Sequence, residues 1–466
     1  MKEASASRSS GDPNLNIGVP NSNTRDPNPT GGAKSETPSR IGEHRGTGSG
    51  TRRASNRFPI AEQARLLTAY ATHVVPENSL ESLLEEAAGS GRPLRVKLGV
   101  DPTARHVHLG WAVVLRRLRL FQDFGHTAVL IIGDFTARVG DPSGRSKTRP
   151  RLSKEQVDEY ADACLSKILQ ILTPENLEIR RNSEWLEKFD AERFLWLTSQ
   201  ATVARMLERD DFSQRYAAGN PISLVEFIYP LLQAYDSVAV EADVELGGND
   251  QIFNLVAGRD LQRAVGQRPQ VCITMPLLRG TDGKLKMSQS YGNYIAIDEK
   301  PIEMFGKLMS IPDELLPEYI RLAAGFSVEE AEKTVQALAS GELSPRDAKR
   351  KMAESTVALY HGADAARRAV AEFDRVFVRH DLPSHVPEAE ISASDSVDGR
   401  VWVARLLALA GLAASNSEGR RLISQRAVRI DGVEYLDPNG ELPLAELDGK
   451  VIQVGKRRFA RIRVRS

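Results

Sequence analysis

The chain has 466 residues, 41% of them hydrophobic, with 62 basic side chains balanced by 62 acidic ones. That length and composition imply two or three globular domains, and a formal charge of zero means that any binding of nucleic acid must come from local charge patterns. No apolar run approaches the roughly 18–20 residues of a membrane helix, and two distant cysteines, Cys164 and Cys272, give neither a disulfide framework nor a metal-binding spacing, which points to a reducing, cytoplasmic setting.

Residues 1–57 are rich in Ser, Gly, Asn, Pro and Thr and poor in large apolar side chains, a composition that predicts a disordered N-terminal extension. The competing reading, a transit peptide, sits poorly with Glu3, Asp12, Asp26, Glu36 and Glu43. From Phe58 the pattern changes. Residues 94–100 read as a strand, 109–124 as an amphipathic helix stopped by Gly125, and 128–132 as a second strand. This βαβ unit predicts an α/β fold, a Rossmann-like parallel sheet over 58–298 that binds ligands at the carboxyl ends of its strands. The segment Asp101-Pro102-Thr103-Ala104-Arg105-His106-Val107-His108-Leu109-Gly110-Trp111 falls on the strand-to-helix turn, where backbone N–H groups and the helix dipole can receive phosphate. Gly133-Asp134 and Gly140-Asp141-Pro142-Ser143-Gly144-Arg145 follow the second strand as a further glycine-rich loop. It lacks P-loop spacing and a Gly-Lys-Thr, which excludes a nucleotide hydrolase of that type. The basic run Arg145, Lys147, Arg149 and Arg151 reads either as a phosphate contact or as a solvated loop face.

Further along, Tyr229, Gln233 and Asp236 are spaced i, i+4 and i+7, with Pro230 expected as the first residue of their helix. A polar stripe of this kind either faces solvent or lines a polar pocket. Glu245-Leu246-Gly247-Gly248-Asn249-Asp250-Gln251 comes next, and then the turn Thr281-Asp282-Gly283-Lys284 leads into Lys286-Met287-Ser288-Gln289-Ser290 on what reads as a flexible loop. Residues 299–379 are expected to be a helical domain, with helices over 328–338 and 345–360. The segment 380–398, polar with two prolines, reads as a linker. The remainder, 399–466, predicts a small α+β domain with helices over 401–410 and 417–425 and strands over 451–454 and 459–464. It holds 13 Lys and Arg against 7 Asp and Glu, a surplus of 6.

The segments ending in Trp111 and Ser290 together resemble the paired His-Ile-Gly-His and Lys-Met-Ser-Lys-Ser signatures of class I aminoacyl-tRNA synthetases. From residue 94 onward, about four fifths of the chain, the sequence resembles the bacterial tyrosyl-tRNA synthetase family, in the subtype with a lysine-containing strand before Asp-Pro-Thr. The resemblance implies activation of L-tyrosine by ATP with Mg2+, transfer to tyrosine tRNA, and a homodimer, with no membrane partner and no metal held by the protein itself. It implies that His108 and Thr103 hold the ATP phosphates, that Gly110 leaves room for adenine, and that Asp101, Trp111, Gly248, Met287, Ser288 and Gln289 complete the nucleotide site. Asp250 would bind the ribose. Lys286, assisted by Lys284 and by Arg145 and Arg149, would meet the pyrophosphate. For the amino acid it implies Asp236 on the phenol, Tyr229, Gln233 and Asp141 on the ammonium, and Gln251 at the carboxylate.

The helical domain would lie in the anticodon region. Residues 406–464 are similar to the αL RNA-binding module, with Arg420, Arg421 and Arg429 on its tRNA face. This chain departs from the family pattern at three places: Trp111 replaces the second histidine, Gln289 replaces the second lysine, and Lys97 stands where other subtypes carry a phenol-binding tyrosine. The alternatives are a tryptophan-specific ligase on the same fold and a degenerate RNA-binding paralogue without amino-acid activation. Asp236 and the C-terminal module speak against the first.

Overall fold

The computed structural model describes residues 58–141, 152–379, 381–455 and 458–465. The extension 1–57 and the basic run with Arg145 and Arg149 therefore lie outside the described residues.

Six strands form the main sheet: β1 (His73–Val75), β2 (Arg95–Val100), β3 (Thr127–Ile132), β4 (Leu177–Arg181), β5 (Val244–Gly248) and β6 (Val271–Met275), in the order β1-β6-β5-β2-β3-β4. All neighbours are parallel except β1, which runs antiparallel to β6 at the edge. The central strands carry near-continuous apolar runs such as Ala128 to Ile132 and are buried on both faces, as a sheet covered by helices on either side requires. From β2 the chain winds outward through β3 to β4, whereas β5 and β6 lie on the other side of β2. The order therefore reverses between β2 and β5, which opens a crevice at the carboxyl ends of these two strands.

At that reversal Lys97 and Glu245 are partners in register across β2 and β5. Their side chains form an ion pair of 2.9 Å at 0% and 1% exposure. Lys97 Nζ also donates to Ser237 Oγ at 2.8 Å and to the Gln233 carbonyl at 2.9 Å. Glu245 accepts from Ser237 Oγ and Gln233 Nε2, each at 3.1 Å, and from Gln270 Nε2. Every strong donor and acceptor of the pair is thereby engaged, which is the condition for burying two charges.

The helix Leu224–Ala239, which carries the polar stripe, begins earlier than the sequence predicts. Ser223 and Glu226 form a capping box, so Pro230 lies in the helix interior and Tyr229 is not at its mouth. The cap and the packing of Phe227 and Ile228 extend the helix upstream and outweigh the loss of one N–H at Pro230. The spacing of Tyr229, Gln233 and Asp236 is unaffected, and all three face the crevice.

Helices over 301–373 pack through Phe305, Leu308, Met352 and Val357 into the same apolar core as Val96, Leu115 and Leu118 of the sheet region. The C-terminal residues have a separate core around Leu406, Leu407, Ile423, Ile452 and Ile462. Its strands are β7 (Glu388–Ser392), β8 (Arg400–Trp402), β9 (Val428–Ile430), β10 (Val433–Glu434), β11 (Glu441–Pro443), β12 (Val451–Val454) and β13 (Arg458–Arg465). They form a five-stranded sheet β10-β9-β12-β13-β7 and a β11-β8 pair.

Residues 388–392, inside the stretch read as a linker, are a strand parallel to β13, held by Arg463–Glu388 at 2.8 Å and Arg465–Glu390 at 2.7 Å. Its alternation is hidden by charged side chains on an edge strand. The helix expected over 401–410 is preceded by β8 and runs Val403–Leu409.

Because Lys97 and Glu245 are both desolvated, Lys97→Met should destabilise the protein by about 3–5 kcal/mol, while Lys97→Met with Glu245→Leu should recover much of that loss. Urea unfolding of the three proteins measures both.

Candidate active site

The crevice at the reversal is a cavity of about 300 Å³ lined by both signature segments, by the polar stripe and by the loop after β5. His108 is the N-cap of the helix Leu109–Asp123, and its Nδ1 accepts from the Trp111 backbone N–H at 3.4 Å. That bond leaves the ring proton on Nε2. Burial, helped by the nearby Lys286 charge, pushes the imidazole pKa down to about 4, so at neutral pH His108 is an uncharged donor. Gly110 allows this arrangement, since a Cβ there would lie 3.0 Å from His108 Nδ1. Trp111 packs on the same ring, with centroids 5.6 Å apart. Thr103 lines the cavity beside the turn.

Asp101 is turned inward. Its carboxylate accepts from Thr136 Oγ1 at 2.7 Å and from the Tyr229 hydroxyl at 3.0 Å. Gly133 passes so close that a Cβ would come within 2.1 Å of Asp101 Oδ1. Burial pushes the Asp101 carboxyl up to about 7 and raises the Tyr229 phenol well above its ordinary value. Both oxygens of Asp101 are thus committed to orienting the pocket wall.

Asp236 lies deepest on the stripe, at 3% exposure. It accepts from Trp185 Nε1 at 2.8 Å and from Asn182 Nδ2 at 3.3 Å, and Asn182 is fixed in turn by Thr136 and by the Phe135 backbone N–H. Burial raises the Asp236 carboxyl to about 6, opposed by Lys97, Trp185 and Asn182. Gln233 is held from both ends: its Nε2 donates to Glu245, while its Oε1 accepts from Asn254 Nδ2 at 3.1 Å. Asn254 also donates to Gln251 Oε1 at 2.9 Å, and Gln251 Nε2 donates to Asp141 at 2.9 Å. The structure thus joins Tyr229, Gln233, Asp236, Gln251 and Asp141 in one polar wall. Asn182, Trp185 and Asn254 stand behind that wall, hydrogen-bonded to Asp236, Gln233 and Gln251, and escaped the sequence reading. Asn182 and Trp185 directly follow β4, so a polar and an aromatic residue in the third strand-to-helix turn was the available signal. Asn254 one turn beyond Gln251 was another.

On the opposite side, Lys286 Nζ donates to Asp250 at 2.6 Å beside Gly248. The second signature is shaped by Asp282, which accepts from the backbone N–H groups of Lys284 and Leu285, and by Asn293. Asn293 donates to Asp282 at 3.0 Å and accepts from Ser288 N–H at 2.9 Å. Met287 is buried in the apolar core. Just beyond, the backbone pairs with the first signature, through Leu109 N to Ile295 O and Ile297 N to Val107 O, both 2.9 Å. Two segments about 180 residues apart in sequence are therefore one structural unit. Gln289 is part of it, donating from Nε2 to the His106 carbonyl at 2.6 Å. Arg420 and Arg421 on the helix Asn416–Ser424 and Arg429 on β9 are exposed in the C-terminal domain. Among the described residues no group of three or more His, Cys, Asp or Glu is placed to hold a metal ion.

A raised carboxyl makes the native state bind more protons than the unfolded chain, so its contribution to stability falls as pH rises through the window between the two pKa values. For Asp236 that window runs from the ordinary carboxyl value of 3.8 to about 6. Asp236→Asn should therefore gain stability relative to the parent between those pH values, by up to about 3 kcal/mol. Urea midpoints of both proteins at the two ends of the window check this, and a difference independent of pH would refute it.

A family model described as tRNA synthetases class I (W and Y) matches residues 89–378. A tyrosine–tRNA ligase from Moorella thermoacetica is 50% identical over 403 residues, which covers 86% of this chain and 96% of that protein. One from Thermotoga maritima is 48% identical over 407 residues, with 86% and 97% covered. The solved tyrosyl-tRNA synthetase of Archaeoglobus fulgidus, complexed with L-tyrosine, shares the fold at a TM-score of 0.54 and 22% identity, over 67% of this chain and 100% of that one.

Proposed function

The chain belongs to the class I tRNA synthetases of the tryptophan and tyrosine type, and we propose that it is a tyrosine–tRNA ligase acting through the crevice between β2 and β5. The observation that carries this reading is Asp236. It is a buried carboxylate, oriented by Trp185 and Asn182, at the floor of a pocket whose mouth holds His108 and Lys286. A phenolic O–H satisfies it. Trp185 and Asn182 already meet one lone pair on each oxygen, and an unsubstituted phenyl ring excludes water from the carboxylate without meeting the rest, at a cost of about 1–3 kcal/mol.

In the first step a carboxylate oxygen of tyrosine attacks the α-phosphorus of ATP, and the bond to the bridging oxygen breaks as pyrophosphate leaves in line. The protein forms no covalent bond to either substrate. It positions them and aims donors at the charge that develops. Tyr229, Gln233 and Asp141 receive the tyrosine ammonium, and Gln251 the carboxylate end. Gly110 and Gly248 leave space for adenosine. Asp250 takes the ribose, which releases Lys286 from its present ion pair toward the phosphates. Neutral His108 offers its Nε2–H, and Thr103 holds the outer phosphate. Asp101 acts through Tyr229, with Trp111 behind His108. Met287 anchors the loop that carries Lys286 and Ser288. Arg145 and Arg149 are assigned to pyrophosphate by resemblance alone. Magnesium accompanies ATP through phosphate oxygens, as that ion prefers.

In the second step the 3′-terminal ribose hydroxyl of tRNA attacks the activated carbonyl, and AMP leaves. Arg420, Arg421 and Arg429 supply phosphate contacts that position the tRNA without reading its sequence. A homodimer is supported by Leu195, Val203, Tyr216 and Leu224, large apolar side chains exposed on successive helices between 191 and 224. Operation in the cytoplasm is supported by two buried free thiols.

Tyrosine-dependent exchange of labelled pyrophosphate into ATP tests the reading. Exchange with tryptophan alone would overturn the specificity, and exchange with no amino acid would overturn the activity. Lys286→Ala should slow the exchange about 10²- to 10³-fold and leave tyrosine affinity nearly unchanged.

A further inference from the structure

Three consecutive carbonyls of the first signature turn are each tied from outside the turn. Ala104 O accepts from Cys164 Sγ at 2.9 Å and Arg105 O accepts from Lys167 Nζ at 3.0 Å. Both donors sit on the helix Lys154–Ile168, a fixed part of the scaffold. The third, His106 O, accepts from Gln289 Nε2 at 2.6 Å, and this donor comes from the second signature loop.

We propose that Gln289 is a positioning residue, a tether that joins the second signature loop to the anchored turn of the first and so holds Lys286 over the crevice before ATP binds. This rests on the reading of Lys286 as the phosphate-binding lysine. The loop has backbone anchors on either side of the tether: Met287 N to Leu278 O at 2.8 Å, and the pairing of Ile295 and Ile297 with Leu109 and Val107. Between them Gln289 opens a short 3-10 turn capped by Ser288, and its side chain spans the gap to the other signature. An amide suits the position because it donates without adding charge beside Lys286, Lys167 and His106. The departure from the family's second lysine thus exchanges a mobile charge for a fixed contact.

One neutral hydrogen bond at a partly exposed site shifts the loop population by about two- to tenfold. That is enough to bias the loop inward and too little to trap product.

The test uses the full chain and two readouts. Hydrogen exchange over residues 284–291, followed by mass spectrometry without ligands, should accelerate about two- to tenfold in Gln289→Ala and in Gln289→Glu, which keeps the shape and loses the donor. Gln289→Lys, which keeps a donor but adds a charge beside Lys286, should fall between the parent and the two donor-less variants. In pyrophosphate exchange, KM for ATP should rise by a similar factor in the two donor-less variants while KM for tyrosine is unchanged. The tether is overturned by unchanged hydrogen exchange in both donor-less variants, or by a parallel rise in KM for tyrosine, which signals general loosening of the pocket. If hydrogen exchange responds as expected but the parent protein supports no pyrophosphate exchange with any amino acid, the tether stands and the enzymatic reading falls.

Discussion

The Lys97–Glu245 ion pair connects the sheet to the substrate pocket. It lies where the strand order reverses, and its spare hydrogen-bonding capacity is spent on the helix Leu224–Ala239: Lys97 on Gln233 O and Ser237 Oγ, Glu245 on Gln233 Nε2 and Ser237 Oγ. The rotation of that helix about its axis is thereby fixed against the two strands. Tyr229, Gln233 and Asp236 then face the crevice with no freedom to slip toward solvent. A pair of apolar residues could fill the same volume, but it would not specify which carbonyl and which amide it touches. Under the proposed function the pocket needs that specification, because an amino acid must be recognised at both of its polar ends simultaneously.

The electrostatics of the crevice follow from the same burial. Asp101 and Asp236 are both raised toward neutrality by desolvation, and His108 is pushed down. The site consequently carries less charge than its residue types imply. Most of its polarity is held as oriented dipoles on Trp185, Asn182, Asn254 and Gln251, already in place before a substrate enters. Lys286, the cation of the second signature loop, is paired with Asp250.

The first βαβ unit was legible because its periodicity, caps and glycine stop all agree, and the structure moves its boundaries by only one residue. The stripe was legible for a related reason. Helical spacing survives an error in where the helix begins, so Pro230 misplaced the N-terminus without disturbing the face. The side chains that hold the pocket-lining residues in place were not legible. Asn182, Trp185 and Asn254 matter through contacts made across the fold, and single residues on short turns carry no periodic signal. Lys97 showed itself only as a departure from a pattern. Its partner Glu245 is 148 positions away in sequence, so only the β2–β5 register could pair them. Gln289 was legible as a lost charge, but the carbonyl it meets was not.

The pairing of β7 with β13 bears on modularity. The C-terminal domain is closed by a strand that precedes its first helix, so the chain enters and completes the unit on neighbouring strands. An excision made at residue 399, where the composition changes, would strip that edge and leave the N–H and C=O row of β13 open to pair with another molecule. A C-terminal unit that keeps its sheet closed therefore begins at or before Glu388, and the polar segment that links it to the helical region is shorter than its composition implies.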